Sequence, residues 1–555
     1  MVLTSLRPIA HRMACWAGVW VGLLGIGGLL AESPVTLSGH PLDPVSVASR
    51  KLPPAPKDPH AYAEWCNAQL YLRKARFYRE HRDTLFFAET GIARELAHFE
   101  DALSRLTSPP PIETPLGLRE EGYYADNDNS FQPFLRYVPY EKPRRPGRPL
   151  IVFLHGYSPA LNLINWASLP YSLMAFAQAE DWLVAAPFGR GNTDFQGIGE
   201  QDVLRVVEEM ARRHGADTNR VVLTGHSMGA MGVWTIGAHY PDRFAGLLPV
   251  AGRGDFYFWK KRPPEEWPEW QRVLIDADFG GSLVENLARI PIFCVHSSDD
   301  NTVPVEEARF MVEKVRRVNP AIIYREKPEG GHLIFEETLA DPDVRQWLRS
   351  LTTTAPLPPR YQAWHPRYAR PGAHLPAGLP RGPVKAAFLD PFVFILAGVP
   401  PSAETRTRFQ RAVQDWIRYA HATPRLRAES AGDPPSEIRH WNLFLFGEPE
   451  ESPWIRRVLD NSPVRVEPEH FVVGHRRFTR SGHGLYLVRP SPWNHQRFAI
   501  IQCGLPWGGP IADNHKYDFL PDYIVYSSEP GFEGMNQPLA AGFFNSDWKL
   551  PCDPF

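Results

Sequence analysis

The chain has 555 residues, of which 43% are hydrophobic, and a formal charge of -2. That length and composition exclude a disordered or fibrous chain and suggest roughly two to four domains. The near-neutral charge offers no basic surface for a nucleic acid, so no such partner is expected. Proline, at 57 residues, favours extended connections and loop-built surfaces over a helical bundle.

Arg7, His11 and Arg12 precede an uncharged apolar run from Met13 to Leu30, and Ala31 stands as a small residue before Glu32. These are the parts of an export signal, so a periplasmic or extracellular protein is expected. Left uncleaved, residues 13–30 are almost long enough to anchor the chain in a membrane, although Gly18, Gly22, Gly25, Gly27 and Gly28 weaken such a helix. A membrane partner is expected only in that case. Cys15 lies at the start of the run rather than after it, which does not suit a lipid anchor.

Cys66, Cys294, Cys503 and Cys552 form no C-x-x-C pair, and a single bridge such as Cys503 to Cys552 and buried free thiols both fit them. The histidines include no H-E-x-x-H pattern, and His470, His475 and His483 read as loop and surface residues. No metal and no cofactor are therefore expected.

After a proline-rich spacer from Leu52 to Pro59, residues 60–106 carry helical spacing in Trp65, Leu70, Leu72, Phe77 and Leu85, then in Leu96, Phe99, Leu103 and Leu106. An antiparallel pair is predicted next, with a turn at Asp126-Asn127-Asp128-Asn129. Leu150 to Leu154 is wholly apolar, as a parallel strand covered on both faces must be, and it stops at His155-Gly156. Alternating units follow: strand Trp182 to Pro187, helix Gln201 to His214, strand Val221 to Thr224, helix Met228 to His239, strand Phe244 to Ala251. Residues 253–290 interrupt the alternation with Phe256, Tyr257, Phe258, Trp259, Trp267 and Trp270, which could line a pocket or form a small core of their own. Strand Ile290 to Val295 and a helix near Glu306 resume it, and strand Ile322 to Arg325 completes it.

Between the strand at 221–224 and the helix at 228–239 lies Gly225-His226-Ser227-Met228-Gly229, a G-x-S-x-G sequence. On a strand–turn–helix it holds a serine in a strained turn with its hydroxyl exposed, whereas the bland reading is an ordinary glycine-rich turn. Two further groups arrive at strand ends. Asp300, with Asp299 as its alternative, follows the strand at 292–296, and Glu329-Gly330-Gly331-His332 follows the strand at 322–325. The chain order is serine, acid, histidine. Oxyanion donors are expected from the amides of Met228, after the serine, and Tyr157, in the loop after the first parallel strand.

The elbow, Tyr240-Pro241-Asp242-Arg243-Phe244, Asp299-Asp300-Asn301-Thr302-Val303-Pro304 and Gly330-Gly331-His332 resemble the α/β-hydrolase fold over residues 118–350 or so. The likeness is to its prolyl-oligopeptidase-like and feruloyl-esterase-like serine hydrolases. It implies a doubly wound, mostly parallel sheet and a Ser227–His332–Asp300 triad, the acid four residues before Pro304. Ala230 departs from the family, which usually has glycine there.

The expected organisation is a signal or anchor at 1–31, a helical N-terminal extension at 32–117, an α/β-hydrolase catalytic domain at 118–351, a proline-rich connector at 352–383 and a smaller accessory α/β domain at 384–555. In that last domain strands are predicted at 392–396, 443–446, 485–489, 497–503 and 522–526, with helices at 404–420 and 454–459. The expected activity is hydrolysis of carboxylic esters, on a small molecule or attached to a polysaccharide. The alternatives are a prolyl-oligopeptidase-like peptidase and an inactive binding protein. Prolyl oligopeptidases gate their sites with a propeller of repeated blades, each about 40 to 50 residues long, and Glu32 to Leu150 carries no repeat of that length.

Overall fold

The computed structural model describes residues 52–85, 87–107, 116–140, 146–166, 169–359, 383–508, 516–545 and 547–551. The expectations for residues 1–51, for most of the proline-rich connector and for Cys552 lie outside the described residues. Leu52 to Phe555 forms one compact unit.

Two helices open it, α1 (Pro59–Glu80) and α2 (Ala88–Thr107). Asp58 starts α1 by accepting from the amides of His60 and Ala61, with Pro59 in the first turn. α1 lies on the edge of the first sheet, where Asn67 accepts from the Gly122 amide at 2.8 Å. A Cβ on Gly122 would come within 2.9 Å of the Cys66 carbonyl oxygen, so the helix backbone approaches as only glycine permits.

The first sheet has eight strands: β1 (Gly117–Ala125), β2 (Ser130–Val138), β3 (Arg148–Leu154), β4 (Leu183–Pro187), β5 (Ala216–His226), β6 (Gly246–Val250), β7 (Phe293–Ser297) and β8 (Ile323–Lys327). Their order is β1-β2-β4-β3-β5-β6-β7-β8. β1 and β2 form the expected antiparallel entry pair, β2 joins β4 antiparallel, and the rest are parallel. Residues alternate faces along a strand, so Leu150, Val152 and Leu154 of β3 enter one hydrophobic core while Ile151 and Phe153 enter another. Helices cover both faces: α4 (Ile198–His214) and α5 (Met228–His239) pack into the first core, and α3 (Tyr171–Glu180), α9 (Phe335–Ala340) and α10 (Pro342–Ser350) into the second. This is the doubly wound α/β sheet expected from the sequence. It places the C-terminal ends of β3, β5, β7 and β8 along one edge, where ligands bind in such folds.

The insertion after β6 holds α6 (Phe256–Trp259) and α7 (Glu269–Asp278), and α8 (Val305–Arg316) follows β7. The insertion's rings pack on one another, Phe256 lying 4.2 Å from Phe279 and 5.8 Å from Trp267, and they also meet rings from elsewhere in the chain. Phe256 lies 5.9 Å from Phe519 and Trp267 lies 4.8 Å from Phe532, ring centre to ring centre. Both partners come from the C-terminal region.

That region builds a second sheet of seven strands from β9 (Phe392–Leu396), β10 (Arg425–Ala428), β11 (Asn442–Phe446), β15 (His483–Ser491), β16 (Asn494–Gly504), β17 (Tyr523–Pro530) and β18 (Asn536–Gly542), in the order β10-β9-β11-β16-β15-β17-β18. A small antiparallel sheet of β12 (Val464–Val466), β13 (His470–Val473) and β14 (Arg476–Thr479) stands beside it, with α11 (Ala403–Ala420) and α12 (Pro453–Leu459). His470 and His483 therefore lie on strands, not in loops as the sequence suggested. One hydrophobic core runs from Val203 and Trp234 under the first sheet to Phe388, Trp416 and Phe444 under the second. Cys66, Cys294 and Cys503 are buried free thiols.

Candidate active site

Ser227 sits in the turn between β5 and α5 with φ 57 and ψ -117, a strained conformation for a residue other than glycine. The surroundings enforce it. The Ser227 amide donates to the Val250 carbonyl at 3.0 Å, and a Cβ on Gly229 would fall 2.0 Å from the Leu154 carbonyl oxygen. Ala230, where the resemblance suggests glycine, is tolerated because it faces Gly252, whose own Cβ would lie 2.4 Å from that of Ala230.

His332 reaches Ser227 from the loop after β8, with Nε2 2.9 Å from the serine Oγ. Its Nδ1 lies 2.8 Å from Oδ2 of Asp300. Nδ1 thus carries the proton and Nε2 is left to accept one from the serine. Asp300 is buried, and Oδ1 accepts from the amides of Thr302 and Val303 at 2.9 Å each. Burial pushes its carboxyl up, but hydrogen bonds from His296, His332 and those two amides outweigh it and hold the group well below the usual carboxylate range. Asp299 faces elsewhere: its Oδ1 accepts from Ser297 Oγ and from the Gly331 amide, the latter at 2.7 Å.

The expected oxyanion donors Met228 and Tyr157 each stand next to a residue that borders Ser227 or is Ser227 itself. Met228 is the first residue of α5, whose amide has no partner within the helix. Gly156 stands against Ser227, a Cβ there lying 3.5 Å from Ser227 Cβ, and Tyr157 is the next residue in the chain. The Tyr157 side chain is exposed. Its loop is fixed by Ser158 and Asn192, which exchange two hydrogen bonds at 3.2 and 2.8 Å, and by the His155 ring, whose Nε2 and Nδ1 lie 3.0 and 2.9 Å from the carbonyls of Phe188 and Gly156, one of which accepts its single N–H.

Sequence reasoning missed several supports. His226 Nε2 donates to the His332 carbonyl at 2.6 Å, and burial pushes the His226 imidazole down to about 4, keeping it neutral. Its place inside G-x-S-x-G was a signal that could have marked it. Asn192 lies in a loop with no motif. Among the described residues no cluster of histidine, cysteine, aspartate or glutamate could hold a metal, and no helix is long and apolar enough to cross a membrane.

The fold and this serine–histidine–aspartate array are those of the α/β-hydrolase superfamily of serine hydrolases. Residues 187–350 match the prolyl oligopeptidase family and form a domain of that family, which bears out the resemblance read from the motifs. Three relatives are similar over part of the chain. An acetylxylan esterase/xylanase of Neocallimastix patriciarum is 25% identical over 181 residues, 31% of this chain and 22% of the relative. A poly(3-hydroxyalkanoate) depolymerase C of Paucimonas lemoignei is 28% identical over 150 residues, 24% of this chain and 34% of the relative. An uncharacterized secreted protein of Arthroderma benhamiae is 27% identical over 165 residues, 28% of this chain and 17% of the relative. The chain thus spans between 17% and 34% of the length of each.

Proposed function

We propose that the protein is a carboxylic-ester hydrolase working through an acyl-enzyme. The observation that carries this reading is the continuous hydrogen-bonded path Ser227–His332–Asp300 at 2.9 and 2.8 Å. His332 Nε2 takes the serine proton as Oγ attacks the ester carbonyl, and Asp300 holds the imidazole in the needed tautomer and stabilises its cation. The amides of Tyr157 and Met228 take the oxyanion. His332 then returns the proton to the departing alcohol, and a water activated by the same imidazole releases the acid.

Two features favour ester over peptide. The described residues ahead of β3 form α1, α2 and the β1–β2 pair, which pack at the sheet edge rather than as propeller blades over the strand ends. Two of the partial relatives are named for ester cleavage, one an acetylxylan esterase and one a polyester depolymerase. The substrate is accordingly a small or polymer-linked ester. The leader-like residues 1–31 and the relative named as secreted support export.

Labelling the purified protein with a fluorophosphonate probe tests the mechanism. One covalent adduct is expected, lost in Ser227→Ala. No adduct, or an equal adduct in that variant, would leave only a binding role.

A further inference from the structure

α11 ends beside the catalytic edge of the other sheet. The helix stops at His421, whose backbone is left-handed with φ 47, and the turn lays the imidazole on residues 188–191. The rings of His421 and Phe188 are 5.3 Å apart. A Cβ on Gly191 would fall 2.9 Å from His421 Nε2, so the ring rests directly on that backbone. One residue earlier, the Ala420 carbonyl accepts from Arg190 Nη1 at 3.3 Å. Arg190 is fully buried and also binds Asp128 at 2.6 Å and Asp202 at 2.7 Å. Trp416 of α11 donates to the same Asp128 carboxylate at 3.4 Å. The outer side of the 188–192 loop is thus built on the C-terminal region.

Its inner side holds the oxyanion segment. Phe188 offers its carbonyl to His155, and Asn192 clasps Ser158 through both amide atoms. Tyr157 lies between the two attachment points. The route from α11 to the Tyr157 amide therefore passes through His421 to Phe188 and Gly191, and from there to His155 and Ser158.

We infer that the C-terminal region is a positioning part of the acyl-transfer site, with His421 and Asn192 as the residues through which it fixes the Tyr157 oxyanion donor. The inference rests on the esterase reading above. An oxyanion donor acts only when it stands where the charge develops, and displacement by about 1 Å can cost on the order of 100-fold in rate. An element carrying no catalytic group thereby governs the turnover number while leaving the ground-state substrate contacts alone.

The test is steady-state hydrolysis of a soluble para-nitrophenyl ester by the full chain, beside inhibition by a trifluoromethyl ketone, which adds Ser227 to form a tetrahedral oxyanion. His421→Asn keeps a residue that accepts the left-handed backbone but removes the ring, and Asn192→Ala releases Ser158. Each is expected to lower kcat about 10- to 100-fold with KM within about twofold, and to weaken ketone inhibition by the same factor. The double variant is expected to be little worse than the poorer single one, because both act on one donor. His421→Phe, which keeps a ring over Phe188, is expected to retain kcat within a few-fold and gives the reading at this position should His421→Asn not fold. Unchanged kcat in Asn192→Ala, multiplied losses in the double variant, or a His421→Phe loss on the scale expected for His421→Asn would overturn the inference. Wild-type hydrolysis that survives Ser227→Ala would instead sink the esterase reading itself.

Discussion

Asp299 and Asp300 are consecutive, yet they hold two different atoms of the same loop: Asp300 takes the imidazole of His332 at 2.8 Å, and Asp299 takes the amide of Gly331 at 2.7 Å. In the proposed mechanism one orients the base and the other positions the backbone that carries it. Asp300→Asn is expected to lower kcat by about 10⁴, because the amide favours the wrong imidazole tautomer. Asp299→Asn retains an oxygen for Gly331 and is expected to cost no more than a few-fold, whereas Asp299→Ala frees the loop and costs about tenfold. Kinetics on one ester for all three variants check this, and a reversed ranking of the two asparagine variants would contradict it.

The elbow depends on a backbone approach that leaves no room for a methyl group. Gly229→Ala would place Cβ 2.0 Å from the Leu154 carbonyl oxygen, which belongs to β3 and cannot swing away like a flexible side chain. Destabilisation of about 3 kcal/mol is expected together with loss of ester hydrolysis. Denaturant unfolding measures the first, and a fully active, equally stable variant would show the turn to be more adaptable than its contacts imply.

Stability is expected to fall on acidification through two half-buried imidazoles. Burial pushes His226 and His421 down to about 4 from the usual 6.5. Between those values the unfolded chain binds protons that the folded chain refuses, so the contribution is complete above 6.5 and is lost as pH drops toward 4. Each contributes a slope of at most about 1.4 kcal/mol per pH unit within that window. Unfolding free energies at pH 7, 6 and 5 should converge between wild type and His226→Gln as the pH falls. A constant difference across that range would exclude the effect.

Arg190 lies among Asp128, Asp202 and the end of α11 with no exposure. Arg190→Ala would leave two buried carboxylates without their cation, and a loss of about 3–5 kcal/mol is expected. Thermal or denaturant unfolding reads it, and a change under about 1 kcal/mol would mean the cluster is solvated in practice.

Strong local patterns were legible in the sequence. Met228–His239 and Phe392–Leu396 read correctly at both ends, because small or apolar residues stand between marked turns. Ser227, Asp300 and His332 could be found because each follows a strand in a fixed order. β10 (Arg425–Ala428) and β14 (Arg476–Thr479) carry arginines on partly exposed positions and show no apolar run, so periodicity passed over them. Phe256 and Trp267 were ambiguous because, besides each other and Phe279, they meet Phe519 and Phe532 more than 250 residues away, and no local pattern encodes such a contact. A separation of more than 200 residues likewise hid the seat of His421 on Phe188.

Ester cleavage by Ser227 is tested most directly by comparing kcat/KM for a short-chain carboxylic ester and a Gly-Pro anilide on the same preparation. An ester preference of at least about 100-fold is expected, about 2.7 kcal/mol in transition-state stabilisation, with both activities absent in Ser227→Ala. Comparable rates on the two substrates, both abolished by Ser227→Ala, would contradict the account and make the protein a peptidase.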